Sequence, residues 1–318
     1  MNYPQPAIID FFSYPPIGPE DWRYAFATGK VRVLETQMPD RALLAELAGA
    51  DRFEAAAEML SGTEYSLSPK SDSGQIEAML LERRSEVRRL FVDLMQDEAI
   101  VRMFRAREDF ANMRLAVRRV VTDKPLGTDY STEGAIPAEE FEEIFEQELY
   151  ERFPDYLQEA VEAAVLGYYE NKDIRTIDYA VDQAQFDALV DIARQAKCSY
   201  LEGLARVEAD LTNIKAIMRK KLRDTDSAQG LINGGFVDAD KLKAALLQPQ
   251  EQFASICFAT PYGSLIESGI DYLEKNNSFA GFEALCDKYL DSCYALASQI
   301  TAGIQPIIAY YYLSLIHI

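Results

Sequence analysis

A short pattern returns in this chain after 101 residues. Asp109-Phe110-Ala111-Asn112-Met113-Arg114 is matched position for position by Asp210-Leu211-Thr212-Asn213-Ile214-Lys215. The same offset lays Ile76-Glu77 on Ile177-Asp178, and Gly134-Ala135-Ile136-Pro137-Ala138-Glu139 on Gly235-Phe236-Val237-Asp238-Ala239-Asp240. Beyond that point the register slips by four, so that Ile177-Asp178 and Asp182 meet Phe282-Glu283 and Asp287 at an offset of 105. Early in the chain Thr63-Glu64-Tyr65 resembles Thr260-Pro261-Tyr262. A unit of roughly 100 residues occurring about three times excludes tetratricopeptide, ankyrin and HEAT arrays, whose units are far shorter.

The content of each unit reads as helix. Val207, Leu211, Ile214, Met218 and Leu222 recur at helical spacing, as do Phe110, Met113, Val117 and Val120, each set forming one apolar stripe. Runs of strict alternation are rare. Breaks fall at Ser61 to Gly74, Thr122 to Pro137, Asp224 to Gly235 and Pro261 to Gly263. The expectation is an all-α protein of three pseudo-repeated helical domains, 22–105, 106–205 and 206–306. A Pro-rich extended arm (1–21) precedes them and the start of a C-terminal helix (307–318) follows. Closing three such sectors into a funnel or socket brings the N-terminal helix, Trp22 to Gln37, near the C-terminal one.

Chemistry is narrowed by what the residues are. The single histidine, His317, is penultimate, so a Ser-His-Asp triad or a histidine metal site would hang on a chain end. Cys198, Cys257, Cys286 and Cys293 lack C-x-x-C spacing and lie in apolar periodic segments, which suits reduced, buried thiols. Thr28-Gly29-Lys30 fails as a phosphate loop, because Val31 follows the lysine and Tyr24 stands where the first glycine belongs. Asp178/Asp182 and Asp287/Asp291, each one turn apart, read as solvated helix faces, with no further cation ligands evident. Between Ala138 and Asn171 eleven acids face one base, Arg152, but the Glu-x-x-His pairs of a di-iron bundle are absent. No cofactor or metal is expected. With 52 acidic against 32 basic residues, a net charge of −20 argues against nucleic acid or anionic lipid as partners. No apolar run is long enough for a membrane span and no signal peptide is apparent.

The order and spacing of several segments resemble the C subunit family of V-type (A-type) ATP synthases, similar to the eukaryotic subunit d. The resemblance is carried by Tyr24-Ala25-Phe26-Ala27 leading into Lys30-Val31-Arg32-Val33-Leu34-Glu35, the Asp-x-x-Asn helices at Asp109 and Asp210, and Gly234-Gly235-Phe236-Val237. Thr260-Pro261-Tyr262-Gly263 and Pro306 with Ala309-Tyr310-Tyr311 complete it. It implies a funnel of three related all-α domains that caps the membrane rotor ring of proteolipid subunits and receives the foot of the shaft, subunits D and F. Such a subunit transmits torque without chemistry, one copy per complex, peripheral on the cytoplasmic face.

One segment departs from that family. Where its final tyrosines lead into a charged Glu-x-x-Asn-apolar-Arg helix, this chain has Leu313-Ser314-Leu315-Ile316-His317-Ile318. The expectation is a third sector left incomplete, whose final six residues add nothing specific. The repeat-motif residues Asp109, Asn112, Arg114, Asp210, Asn213 and Lys215, with Tyr24 and Tyr310, are read as holding neighbouring helices together, with a partner interface as the alternative. Arg114-Arg118-Arg119 and Lys215-Arg219-Lys220-Lys221 either meet an acidic partner or balance the chain's own acidic helices. Two other classes stand beside this reading. A helical-repeat adaptor could bind a different elongated or coiled-coil partner; a carboxylate-dependent isoprenoid synthase would need an Asp-Asp-x-x-Asp sequence, which is missing.

Overall fold

The computed structural model describes residues 14–66, 68, 70–124, 129–223 and 229–316. Among these there are fourteen α-helices and no strand, so the all-α expectation holds. The helices run α1 (Ala25–Glu35), α2 (Arg41–Ala48), α3 (Phe53–Met59), α4 (Ser73–Leu94), α5 (Glu98–Val121), α6 (Ala138–Gln147) and α7 (Asp155–Asn171). They continue as α8 (Arg175–Gln195), α9 (Ser199–Leu222), α10 (Ala239–Leu246), α11 (Phe253–Ile256), α12 (Gly263–Asn276), α13 (Ala280–Ser298) and α14 (Ile304–Ile316). His317 and the first part of the Pro-rich arm lie outside the described residues.

Helix boundaries follow local chemistry. Asp40 starts α2 by accepting from the Leu43 amide at 2.8 Å. Asp72 and Gln75 satisfy each other's backbone amides in a capping box that opens α4. Asp238 caps α10 by accepting from the Asp240 and Lys241 amides. At the other end, Lys172 and Asn277 adopt left-handed backbone with φ of 54° and 48°, so α7 and α12 stop in the same manner 105 residues apart.

The chain forms two compact units. Unit 1 comprises Met1–Pro16 and Ala99–Leu290, hence α5 to α12 and most of α13. One of its cores gathers Phe110, Met113 and Val117 of α5, Phe141 and Ile144 of α6, Leu157 and Val161 of α7, and Ile177 and Val181 of α8. These are the apolar stripes of the sequence, turned toward one another. The end of the Pro-rich arm lies against α9 in the same unit. Tyr14 stacks on Phe236 with ring centroids 4.0 Å apart, and its carbonyl accepts from the Tyr289 hydroxyl at 3.0 Å. Gly203 makes room for the two prolines that follow, since a Cβ there would stand 2.5 Å from Pro16 and 2.8 Å from Pro15.

Unit 2 comprises Ile17–Glu98 and Asp291–Ile318. Its α14 packs on α1 and on α4. Thr28 Oγ1 bridges the Gly303 amide and carbonyl at 3.3 Å, the Asp21 amide donates to the Ala302 carbonyl at 2.9 Å, and Arg32 donates to the carbonyls of Ser298, the last residue of α13, and of Ile300 just after it. Of the final six residues, expected to add nothing specific, Leu313 to Leu315 are packed in this unit. Ser314 is buried and its carbonyl accepts from the buried Tyr65 hydroxyl at 3.4 Å, while Leu313 and Leu315 are half-buried. Apolar residues all round a helix look patternless in sequence, but they are what a helix enclosed between others requires.

Candidate functional site

Asp109 and Asn112 stand one turn apart on α5, and periodicity places them at the border of its apolar stripe. The structure takes both fully inside. Burying a carboxylate and an amide is unfavourable unless donors and acceptors meet them, and here the loop before α6 supplies those groups. Asn112 donates from Nδ2 to the Ser131 carbonyl at 2.9 Å and accepts at Oδ1 from the Ser131 amide at 2.8 Å. Asp109 Oδ1 accepts from the Ala135 and Ile136 amides at 3.0 and 3.2 Å, and Oδ2 from the Tyr156 hydroxyl at 3.3 Å.

The second copy repeats this bond for bond. Asn213 clasps the Ile232 carbonyl and amide at 2.8 and 2.7 Å. Asp210 accepts from the Phe236 and Val237 amides at 3.0 and 3.1 Å and from the Tyr262 hydroxyl at 3.0 Å. In both copies the asparagine reaches 19 residues ahead and the aspartate 26 and 27. Each helix thereby clamps the loop that follows it. The approach is possible only past a glycine: a Cβ on Gly134 would fall 2.2 Å from Asp109 Oδ1, and one on Gly235 2.1 Å from Asp210 Oδ1.

Burial dominates the electrostatics of the clamp. It pushes the Asp210 carboxyl up to about 6 against the lowering effect of the two amides and the Tyr262 hydroxyl. Asp109 is raised for the same reason. Burial and the neighbouring Asp109 carboxylate raise the Tyr156 phenol, and burial drives the Cys257 thiol up to about 12, with the Asp210 charge adding to it. The carboxylate oxygens thus face donors of this chain from buried positions, an arrangement suited to fixing a loop.

Around each clamp runs an ion-paired seam. Arg114 pairs with Asp182 and Arg118 with Asp178, joining α5 to α8. Lys215 pairs with Asp287 at 3.6 Å and Arg219 with Glu283, joining α9 to α13. The bases are offset by 101 and the acids by 105, so the register slip seen in the sequence preserves every pair. These basic residues therefore balance acids of the same chain. The pairs are partly solvated, so replacing Asp178 or Glu283 with alanine should cost about 1 kcal/mol or less, and less still at high salt. Urea unfolding of each variant at low and high ionic strength measures this; a loss several times larger would mean the seam is a principal source of stability.

Tyr24 and Tyr310 belong to unit 2 and are separate from the clamps. Tyr24 is buried, donates to Asp97 Oδ2 at 2.8 Å and accepts from the Gln96 and Asp97 amides at 3.1 and 3.0 Å. Burial and the Asp97 carboxylate raise its phenol. The buried Tyr310 hydroxyl accepts from Arg83 at 3.2 Å, and Arg83 also pairs with Glu64 and with Glu86 at 3.1 Å. Sequence reasoning found the aspartates and asparagines but not their partners. Gly134 and Gly235 lay within the 101-residue offset and could have been joined to the clamp by it, whereas Asp97 and Arg83 carry no such mark. Among the described residues no cluster of three or more His, Cys, Asp or Glu is placed to hold a metal ion.

Comparison with known proteins adds one finding. The family model described as ATP synthase (C/AC39) subunit matches residues 27–316. No individual curated protein matches the chain.

Proposed function

Because the chain belongs to the ATP synthase (C/AC39) subunit family, we propose that it is a non-catalytic central-stalk subunit coupling the rotor shaft to the membrane ion-translocating ring. The observation that supports this reading is the duplicated clamp. A part that passes torque must not shear, and each long helix, α5 and α9, holds its following loop by buried bonds at five loop and tyrosine donors and acceptors. Buried hydrogen-bonded networks of this kind fix one arrangement.

The reading extends to three related sectors, the third drawing on unit 2. Its support is the Thr63–Tyr65 turn, where the Thr63 hydroxyl donates to the Leu60 carbonyl and accepts from the Tyr65 amide. Thr260 makes the same two bonds to Cys257 and Tyr262. The proposed partners are shaft subunits D and F and the proteolipid ring, with the chain held at the cytoplasmic face through the complex. No described helix is long and apolar enough to cross a membrane.

Co-expression with shaft and ring subunits tests this. The chain should co-purify with both, association with the shaft should weaken as salt rises, and the isolated chain should be a monomer without ATPase activity. Tight nucleotide binding by the isolated chain, or failure to join either partner, would overturn the reading.

A further inference from the structure

Helix α1 turns Ala27, Thr28 and Val31 into unit 2. Its other side is apolar as well, and open. Trp22, the chain's only tryptophan, is 65% exposed, Phe26 83% and Val33 62%. At about 100° per residue Phe26, Gly29 and Val33 of α1 fall within an arc of roughly 60°, and Trp22 stands in the 3-10 turn, Trp22–Tyr24, that leads into the helix. Large apolar side chains scattered singly on a surface need no explanation, but two on one helix face with a third in the turn that opens it do.

Gly29, in the middle of the stripe, is a second and independent observation. A glycine inside a helix is destabilising relative to alanine, and nothing among the described residues calls for this one. Its backbone is not left-handed, and a Cβ there would meet no atom within 4 Å. The notch between Phe26 and Val33 therefore serves something that comes close to the α1 backbone from outside. Charge supplies a third observation. In a chain of net charge −20, residues 22–34 contain Arg23, Lys30 and Arg32 and no acid. Arg23 is engaged with Asp21 and Asp97, and Arg32 with Glu35; Lys30, beside the stripe, has no ion pair among the described residues.

We propose that the outer face of α1, formed by Phe26, Gly29, Lys30 and Val33 together with Trp22 of the turn before it, seats a helix of the rotor shaft. The contacting helix is apolar along its inner side and carries a carboxylate opposite Lys30. A lipid surface would also accept tryptophan, phenylalanine and lysine, but it gains nothing from a notch in a helix backbone. A second helix does, because its ridge of side chains enters the groove that the missing Cβ deepens. The two turns of stripe from Phe26 to Val33 likewise suit a helix better than a loop. The choice of the shaft as occupant rests on the function proposed above, which provides an elongated partner.

The test uses the assembled complex of this chain with shaft and ring. Benzoylphenylalanine placed at position 26 and irradiated should join to a helical segment of the shaft that bears an aspartate or glutamate within one turn of the adduct. Gly29→Leu should weaken co-purification of the shaft at least tenfold while leaving the melting temperature of the isolated chain unchanged or higher, and Lys30→Glu should weaken it with a reduced salt dependence. Adducts found only on lipid, on ring loops or on this chain's own residues, 1–13 included, would overturn the proposal, as would full association of Gly29→Leu. If the unaltered chain assembles with shaft and ring while Gly29→Leu does so equally, the docking face is wrong and the functional reading stands. If the unaltered chain captures neither, the functional reading falls and the occupant named here falls with it.

Discussion

Replacing Asp210 with alanine should destabilise the chain by about 3–5 kcal/mol, because it removes the carboxylate that accepts from the Phe236 and Val237 amides and from the buried Tyr262 phenol. Urea titration followed by helical circular dichroism measures the loss. A cost below about 1 kcal/mol would show that water or a shifted loop replaces the carboxylate with ease. Asparagine is a poor substitute, since its amide nitrogen would point a donor at a donor. The same site gives a signed pH dependence. With a folded value of about 6 against an ordinary 3.8, the native state binds more protons than the unfolded state between about pH 4 and 6. Stability therefore declines as pH rises through that window, by on the order of 3 kcal/mol, and the contribution is flat above it. Asp129 and Asp173, held low by Arg119 and Arg175, titrate with the opposite sign, so the quantity to follow is the difference between the unaltered chain and Asp210→Ala. That difference should grow as the pH falls from 6 to 4.

Gly235→Ala should be nearly as damaging, at about 3 kcal/mol or more, by a different route. Its Cβ would stand 2.1 Å from Asp210 Oδ1 and 2.9 Å from Cγ, and the carboxylate cannot swing away without releasing its three donors. The diagnostic is non-additivity. In an Asp210→Ala background the obstructing oxygen is gone, so adding Gly235→Ala should cost much less than it does alone. Additive losses would place the strain elsewhere in the loop. Gly29→Ala provides the contrast: with open space around the new methyl group, it should stabilise the isolated chain by about 0.5–1 kcal/mol.

The helices were legible because their stripes carry a 3.6-residue period over several turns, and the Asp-x-x-Asn segments because they repeat at one offset. The depth of Asp109 and Asn112 was not. Periodicity reads polar residues outward, and only the geometry of a loop some 20 residues away reveals that amide donors await them inside. The basic runs show the same limit. Arg114 and Lys215 announced a charged border, but which acids they meet depends on how α8 and α13 lie against α5 and α9. Tyr310 was recognisable as part of a motif, while its partner Arg83 sits 227 residues away with nothing in the intervening sequence to connect them.

The tyrosines of the two clamps reach their aspartates from different places. Tyr156 lies inside the first turn of α7, whereas Tyr262 sits just before α12, preceded by the additional short helix α11. The two halves differ in length here, 47 residues against 52 from aspartate to tyrosine, and yet a phenol oxygen arrives at the carboxylate in both. What the two halves share at this point is a location for one hydroxyl, not a numbered column in an alignment. A comparison that counts residues will place these two tyrosines out of step, and one that superposes α5 on α9 will find them together. Hybrids that exchange the segment between α6 and α7 for the one between α10 and α12 should be judged by that spatial criterion, since a graft of the wrong length that still delivers the oxygen preserves the clamp, and one of the right length that does not has lost it.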